Sequence, residues 1–153
     1  MKFLAMIQAR CSSHRLPSKV MKDLCGKTVL ERVVERVQRS EYIDETMVVT
    51  SLNEDDMQIV KLMSGCGVRV FAGSLDDVLD RYYQAAKILK PEYVIRITAD
   101  CPVIDHKIID EAIEALKEDT QYLGMMTESF PDGLDVEIVK FEAFSLKCFF
   151  LIF

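Results

Sequence analysis

The sequence has few of the residues that build flexible or fibrous proteins and no long apolar run, and each shortage excludes a class of protein. Four Pro and six Gly among 153 residues are too few for a disordered or fibrous chain. The first apolar run, 3–7, is shorter than the roughly 7–15 residues of a signal-peptide core. The closing CFFLIF is far shorter than the roughly 20 residues that cross a bilayer. Since 50% of the residues are hydrophobic, we expect one domain with its own core and no membrane partner.

The cysteines are odd in number and widely spaced. No two of the five stand in a CxxC pair, which a zinc site built from cysteine would need. Dispersed thiols are typical of proteins kept in a reducing compartment, so we expect a cytoplasmic protein. The five are Cys11, Cys25, Cys66, Cys101 and Cys148.

Charge is distributed unevenly along the chain. Residues 1–40 contain nine Lys and Arg against three Asp and Glu, a net charge of +6, whereas residues 41–153 contain ten against twenty-two, a net charge of −12. The total of −6 argues against nucleic-acid binding, for which a broadly basic face is expected. A basic N-terminal quarter instead suggests local binding of an anion, although ordinary solvated charges would give the same counts.

Apolar runs and helical periodicity alternate along the chain. Strands are predicted at 3–7, 46–51, 68–72, 93–99, 122–126 and 135–139. Helices are predicted at 28–39, 54–63, 74–89 and 105–119. The alternation predicts an α/β fold with a doubly wound, mainly parallel sheet. Such sheets bind ligands in the loops at the carboxyl ends of their strands.

Residues near the helix ends support these boundaries. Asn53 is a candidate N-cap for the second helix. Ser74 and Asp77 form a candidate capping box for the third helix, and Asp105 is the candidate cap of the fourth. Asp77 and Arg81 stand at i, i+4, where they can pair with each other.

The loop after the first strand, in IQARCSSHRLPSK, carries three cations within ten residues: Arg10, Arg15 and Lys19. With its serine hydroxyls and backbone N–H groups, such a loop can hold a polyphosphate, and Pro17 restricts its backbone. The loop matches neither the Walker pattern GxxxxGK[ST] nor the dinucleotide fingerprint GxGxxG. A basic surface loop remains the alternative.

Four segments in chain order resemble one enzyme family. They are LAMIQARCSSHRLPSKVMKDLCGKTVLERVVERV, GSLDDVLDRYYQAA, IRITADCPVID and FPDGLDVEI, and the match runs from residue 3 to about 142. They are similar to segments of the cytidylyltransferases that activate acidic sugars, such as the acylneuraminate and 3-deoxy-octulosonate enzymes, and above all to the spore coat polysaccharide biosynthesis branch. The resemblance implies a Rossmann-like fold of the nucleotide-diphospho-sugar transferase type, with residues 1–153 forming a single nucleotidyltransferase domain.

The resemblance also implies a reaction. Such an enzyme transfers CMP from CTP to a 2-keto-3-deoxy or related acidic sugar and releases pyrophosphate, with Mg²⁺ as the cofactor and a homodimer as the assembly. The activated sugar serves surface polysaccharide biosynthesis. By the same resemblance, QAR in place of a glycine-rich loop implies CTP rather than UTP, GTP or ATP as the nucleotide.

Two departures from the family pattern affect this expectation. Ser18 stands where the family has Gly, and the tail FSLKCFFLIF does not continue the pattern beyond about residue 142. We therefore expect a chain that is truncated at its C-terminus. Two alternatives remain open: a nucleotidyltransferase of other base or acceptor specificity, and a catalytically inactive nucleotide-binding or assembly module.

Residues of the first loop and its surroundings take nucleotide-binding roles by resemblance. Lys19 and Arg10 are also the candidate catalytic cations, Lys19 foremost, because a cation there can stabilise the departing pyrophosphate. Gln8 and Ala9 would contact the base through their backbone, although Gln8 can equally pack at a strand end. Ser74 would lie on the cytosine side, although it can equally cap its helix. The predicted nucleotide-binding set is Gln8, Ala9, Arg10, Ser13, Arg15, Lys19 and Ser74.

Carboxylates after the later strands are the candidate metal and sugar ligands. Asp100 directly follows the apolar strand 93–99, a position suited to holding Mg²⁺. By resemblance it is the metal ligand and the third catalytic residue. Asp132, Asp135 and Glu137 are the predicted sugar-binding residues. Asp135 and Glu137 stand two apart on a predicted strand and would share one face, which can equally be exposed to solvent.

Overall fold

The computed structural model describes residues 1–12, 16–124, 131 and 133–144. Within them, helices cover both faces of one six-stranded sheet. The strands are β1 (Phe3–Gln8), β2 (Glu45–Ser51), β3 (Arg69–Gly73), β4 (Tyr93–Thr98), β5 (Tyr122–Gly124) and β6 (Glu137–Lys140). The helices are α1 (Val29–Val37), α2 (Met57–Gly65), α3 (Val78–Leu89), α4 (His106–Glu114) and α5 (Phe141–Phe144).

The strand order is β3-β2-β1-β4-β6-β5. The first four strands are mutually parallel, whereas β6 runs antiparallel to both β4 and β5. This confirms the predicted α/β class with a mainly parallel sheet. Because the chain builds outward from β1 to β3 and then returns to the other side of β1, the order reverses between β1 and β4. The loops that leave these two neighbouring strands are the expected edges of a ligand crevice.

The core consists of two apolar layers, one on each face of the sheet. Strand β1 contributes to both, because Ala5 and Ile7 pack with α1, α2 and α4 on one face, while Leu4 and Met6 pack with α3 and α5 on the other. All four of these side chains are fully buried. A strand buried on both faces reads as a continuous apolar run, which is why the segment 3–7 shows no alternation. Among the described residues, no helix is long and apolar enough to cross a membrane.

Helix α1 begins with a complete capping box that the sequence analysis did not identify. The Thr28 hydroxyl accepts a hydrogen bond from Glu31 N–H at 3.2 Å, and Glu31 Oε2 accepts one from Thr28 N–H at 2.7 Å. Each bond satisfies a backbone N–H that the first turn of a helix leaves unpaired. The predicted cap of α4 is confirmed, since Asp105 accepts from Lys107 N–H at 3.0 Å.

Two predicted helix starts are wrong in detail. The second helix begins at Met57, after a separate 3₁₀ turn at Glu54–Asp56, and Asn53 makes no side-chain capping bond. The third helix begins at Val78, because Asp77 rather than Ser74 is its N-cap and accepts from Asp80 N–H at 2.8 Å. Both errors arise because polar residues before a helix compete for the same role, and local spacing does not decide which one caps.

Candidate functional site

The strand end that leads into the basic loop is held within the sheet. Ala9 N–H donates to Val49 O at 3.0 Å, and Gln8 O accepts from Ala99 N–H at 2.9 Å. Gln8 is half-buried, and its side-chain oxygen accepts a long hydrogen bond from Arg96 at 3.4 Å. Ala9 is buried. These backbone groups are therefore already used within the sheet, and contact of Gln8 and Ala9 with a base stays a prediction.

Beyond the strand, two backbone contacts define the shape of the basic loop. Cys11 N–H donates to Asp56 Oδ1 at 2.7 Å, and Cys11 O accepts from Ser18 N–H at 2.9 Å. Ser18 has a φ of 52°, in the left-handed region that glycine adopts most easily. This backbone requirement gives a physical reason for Gly at this position in the family pattern. Ser13 and Arg15 lie outside the described residues.

Lys19 and Asp100 form an ion pair between the loops that follow β1 and β4. Their side chains are 29% and 37% exposed, respectively, so both remain accessible to a ligand. Burial acts to raise the pKa of Asp100, but the hydrogen bond and charge of Lys19 outweigh it and hold that pKa below its ordinary value. Arg10 is exposed on the same loop as Lys19. The contact thus joins a predicted phosphate cation to the predicted metal carboxylate at the point where the strand order reverses.

Among the described residues, Asp100 does not belong to a cluster of metal-binding side chains. In the part of the chain that the structure describes, no cluster of three or more His, Cys, Asp or Glu residues could hold a metal ion. Mg²⁺ often binds through one or two carboxylates, with waters and substrate phosphates completing its shell. A partly exposed, ionised Asp100 fits that mode of binding, and it does not fit a cage built wholly from protein.

Ser74 and the start of α3 are organised by Arg81, not by the predicted pair between Asp77 and Arg81. Arg81 is only 2% exposed, and its guanidinium donates to Ser74 O at 2.7 Å. Ser74 Oγ accepts from Asp77 N–H at 3.1 Å, while the Asp77 carboxylate caps the helix. The predicted i, i+4 pair is wrong because the buried Arg81 donates to the Ser74 carbonyl, while the Asp77 carboxylate accepts from Asp80 N–H at the N-terminus of α3. Contact of Ser74 with cytosine stays a prediction.

On the other side of β4, Glu137 is the centre of a polar group. It forms an ion pair with Arg96, and each side chain is 20% exposed. Its second oxygen accepts from the Tyr122 hydroxyl at 3.3 Å. Burial, followed by the charge of Glu137, raises the pKa of Tyr122 to about 12. Strand β6 begins at Glu137, so Asp135 precedes the strand, which is shorter than the predicted 135–139.

Asp132 lies outside the described residues, so its predicted contact with a sugar stays a prediction. Asp135 and Glu137 are described, but their positions alone do not identify a ligand, so their contact with a sugar also stays a prediction.

The thiol of Cys11, within the basic loop, is not a candidate nucleophile. Burial and the Asp56 carboxylate raise the pKa of Cys11 to about 11, so the thiol stays protonated at neutral pH.

A cavity of about 350 Å³ lies at the opposite edge of the sheet, where Lys2, Phe3 and Tyr93 are among its lining residues. That cavity is therefore separate from the Lys19–Asp100 contact.

Sequence reasoning missed three polar residues that organise this edge: Asp56, Arg81 in its observed role, and Arg96. A charge within the apolar strand YVIRIT was a usable signal for Arg96, since buried arginines are nearly always paired. Asp56 is one of three consecutive acids, and only the tertiary fold shows that it is the one that turns inward.

Comparison with known proteins identifies the family of this chain. A family model described as cytidylyltransferase matches residues 4–147. The spore coat polysaccharide biosynthesis protein SpsF of Bacillus subtilis is 37% identical over 116 residues, which cover 73% of this chain and 48% of that protein. The 3-deoxy-manno-octulosonate cytidylyltransferase of Geobacter sulfurreducens is 35% identical over 120 residues, which cover 77% of this chain and 46% of that enzyme.

A solved structure extends the likeness to three dimensions. A cytidylyltransferase from Leptospira borgpetersenii superposes with a TM-score of 0.89 at 31% identity, and the match covers 95% of this chain and 63% of that one. The chain spans about half the length of the curated relatives it matches.

Proposed function

Because the chain belongs to the cytidylyltransferase family, we propose that it transfers CMP from CTP to the anomeric hydroxyl of an acidic sugar and releases pyrophosphate. The observation that carries the proposal is the contact between Lys19 and Asp100, since transfer of a nucleotidyl group needs both a phosphate-binding cation and a metal-binding carboxylate. Similarity to a 3-deoxy-manno-octulosonate cytidylyltransferase supports an acidic sugar of the 2-keto-3-deoxy type as acceptor.

In this proposal the loop after β1 binds the triphosphate. Arg10 is exposed and Lys19 is 29% exposed, so both can reach a bound nucleotide. As pyrophosphate departs, negative charge grows on its oxygens, and a fixed cation stabilises that charge more than it stabilises the bound substrate. Lys19 exchanges its single carboxylate partner for the more highly charged triphosphate. Ser13 and Arg15 of the same loop lie outside the described residues, and they remain proposed phosphate-binding residues.

Asp100 is the proposed Mg²⁺ ligand. Its lowered pKa keeps the carboxylate ionised at neutral pH, as a metal ligand must be. When bound, Mg²⁺ would supply Lewis-acid activation of the α-phosphate and of the sugar hydroxyl. Departure of Lys19 towards the phosphates leaves the Asp100 carboxylate open, so nucleotide and metal are expected to bind cooperatively.

The acidic acceptor is proposed to bind beside β4 and β6, where Asp132, Asp135 and Glu137 remain the candidate ligands. Arg96 lies between Gln8 and Glu137, at 3.4 Å from the Gln8 side-chain oxygen and in an ion pair with Glu137. A guanidinium can bind a carboxylate through two parallel hydrogen bonds. Arg96 is the proposed cation for the carboxylate of the acidic sugar, which would compete with Glu137 for the guanidinium.

The wider setting is also proposed. A homodimer, a cytoplasmic location and a role in surface polysaccharide biosynthesis follow from the family resemblance, and similarity to SpsF supports the last of these.

The proposal is tested by thermal-shift titration with CTP, UTP, GTP and ATP, each with and without Mg²⁺. CTP at about a hundred times its dissociation constant adds roughly 2.7 kcal/mol to the free energy of unfolding. For a chain of this length, that corresponds to a melting-temperature rise of about 5–10 °C. Lys19→Ala is expected to remove most of the shift. Lys22→Ala is the matched control, because Lys22 is an exposed lysine three residues along the same segment.

A second assay measures pyrophosphate release with CTP and a series of acidic sugars. Stabilisation by CTP and by none of the other three nucleotides, together with pyrophosphate release, supports the proposed reaction. A larger shift with another nucleotide indicates different base specificity, and a CTP shift without release for any sugar indicates an inactive nucleotide-binding module. No shift with any nucleotide would show that the proposal is wrong.

A further inference from the structure

Asp56 is a buried carboxylate that joins two loops at the carboxyl ends of the parallel strands. This edge of the sheet, which also carries Lys19 and Asp100, is called the active edge below. Only 1% of its surface is exposed. Its Oδ1 accepts from Cys11 N–H at 2.7 Å, and its Oδ2 accepts from the Ser51 N–H at 3.3 Å and from the Ser51 hydroxyl. A charge removed from water is tolerated when such donors replace its hydration. The carboxylate thus ties the loop after β1 to the end of β2.

The Cys11 contact acts on the loop that carries the predicted phosphate-binding cations. Cys11 lies two residues beyond Ala9, whose N–H still bonds to Val49 in the neighbouring strand. The Cys11 carbonyl accepts from Ser18 N–H at 2.9 Å, which closes the loop on itself. Ser18 then begins the 3₁₀ turn Lys19–Met21. A continuous series of hydrogen bonds and peptide bonds therefore runs from Asp56 to Lys19.

We propose that Asp56 is a positioning residue for the triphosphate-binding loop: by holding the Cys11 N–H, it fixes the loop conformation that presents Arg10 and Lys19 to the nucleotide. The role rests on the proposed function, because the triphosphate of CTP is the ligand of that loop. A loop that is ordered before binding loses less conformational entropy when it binds. Asp56 acts through Cys11 and does not itself contact the nucleotide.

A carboxylate suits this position better than an amide, because the groups facing it are donors. An Asn at position 56 has a single acceptor oxygen. Turned towards the two Ser51 donors, that oxygen leaves the NH₂ group facing the Cys11 N–H, so the bond to Cys11 is lost. The charge also acts on the buried Arg81. Burial lowers the pKa of Arg81, and Asp56 opposes that effect.

The test compares Asp56→Asn with Ser51→Ala in the 153-residue chain. Ser51→Ala removes a donor to Oδ2 but leaves the bond between Oδ1 and Cys11 N–H, so it is the matched control. Calorimetry well below each melting temperature measures the dissociation constants of CTP and of CMP, which lacks the β- and γ-phosphates. Loss of a residue that orients metal ligands typically weakens metal binding by about 10–100-fold, and we expect an effect of similar size for a residue that orients a phosphate-binding loop.

We expect Asp56→Asn to weaken CTP binding about tenfold or more while CMP binding changes by less than about threefold. Ser51→Ala should leave both constants near their wild-type values, even where it lowers the melting temperature. Unchanged CTP binding in Asp56→Asn, or equal weakening of CTP and CMP, would mean that Asp56 is only structural. Wild-type protein that does not bind CTP would instead refute the proposed function, so the two failures are distinguishable.

A measurement on the wild-type chain covers the case in which Asp56→Asn does not fold. Amide hydrogen exchange followed by NMR should show the Cys11 and Ser18 N–H groups protected without nucleotide, at a level comparable to β1, and little more protected with CTP. Exchange of the Cys11 N–H at the rate of an unstructured peptide, with protection only after CTP is added, would overturn the proposal.

Discussion

Replacing Asp100 with Asn should separate stability from function at the active edge. Asp100 and Lys19 are 37% and 29% exposed, so solvent screens their attraction. Ion pairs of this kind contribute about 0.2–1 kcal/mol to folding. In a domain of this size, loss of that amount lowers the melting temperature by at most about 2–4 °C. Differential scanning fluorimetry without ligand resolves a change of this size.

The functional effect should be much larger. Asn keeps the shape of Asp100 but lacks the negative charge that a metal ligand supplies, so the Mg²⁺-dependent part of the CTP thermal shift should disappear. Loss of one group that stabilises the transition state typically costs about 100–1000-fold in rate, and we expect a loss of this order in pyrophosphate release. The matched variant Lys19→Met should lower the melting temperature by an equally small amount. It should weaken CTP binding both with and without Mg²⁺.

The pH dependence of stability provides an independent check. Lys19 holds the pKa of Asp100 below its reference value of 3.8, although burial acts in the opposite direction. Because the folded-state pKa is the lower one, the pair's contribution is present above about pH 4 and is lost as the pH falls through the folded-state pKa. The difference in melting temperature between wild type and Asp100→Asn should therefore be constant from about pH 5 to 7 and shrink below about pH 4.

Two results would refute this reasoning. A fall in melting temperature of more than about 8 °C in Asp100→Asn would mean that the carboxylate supports the fold far more than a screened ion pair does. Undiminished pyrophosphate release by the same variant would mean that Asp100 does not serve the reaction.

Three further predictions concern stability and loop geometry. Thr28→Ala removes the capping box of α1 and should cost about 1 kcal/mol in urea unfolding. Ser18→Gly relieves a residue with φ of 52° and should stabilise the protein by up to about 1 kcal/mol by the same measurement. Gly73→Ala places a Cβ at 2.9 Å from Phe71 Cε1 and 3.0 Å from Arg81 Cγ, so it should cost about 1–3 kcal/mol and weaken CTP binding in the thermal-shift assay.

Each of these predictions has a matched control. Thr28→Ser keeps a hydroxyl acceptor and should retain most of the stability. Ser18→Ala keeps the backbone strain and should give no gain, so equal effects of Ala and Gly would contradict the conformational explanation. Gly65→Ala adds a Cβ with nothing within 4 Å, and a cost there as large as at Gly73 would show that crowding against Phe71 and Arg81 is not the cause.

Local pattern was sufficient to predict most elements of the fold, although it missed α5 and the starts of α2 and α3. The apolar run 3–7 became the central strand β1 because a strand covered on both faces needs apolar side chains in both directions. Leu30, Val33, Val34 and Val37 became the buried face of α1 because helical spacing brings them to one side. Alternation of strands and helices then left the basic loop and Asp100 at the same edge of the sheet, since parallel strands share the direction of their carboxyl ends.

The tertiary structure decided which polar groups meet. Asp77 and Arg81 have suitable spacing for a pair, yet Arg81 turns to Ser74 O because its side chain is buried.

Asp56 and its two acidic neighbours are indistinguishable by local pattern, and only the packing of the loop after β1 against the end of β2 places the Cys11 N–H beside Asp56. The physical reason is that secondary structure depends on neighbours along the chain, whereas the partner of a buried charge is set by which distant segments the sheet order brings together.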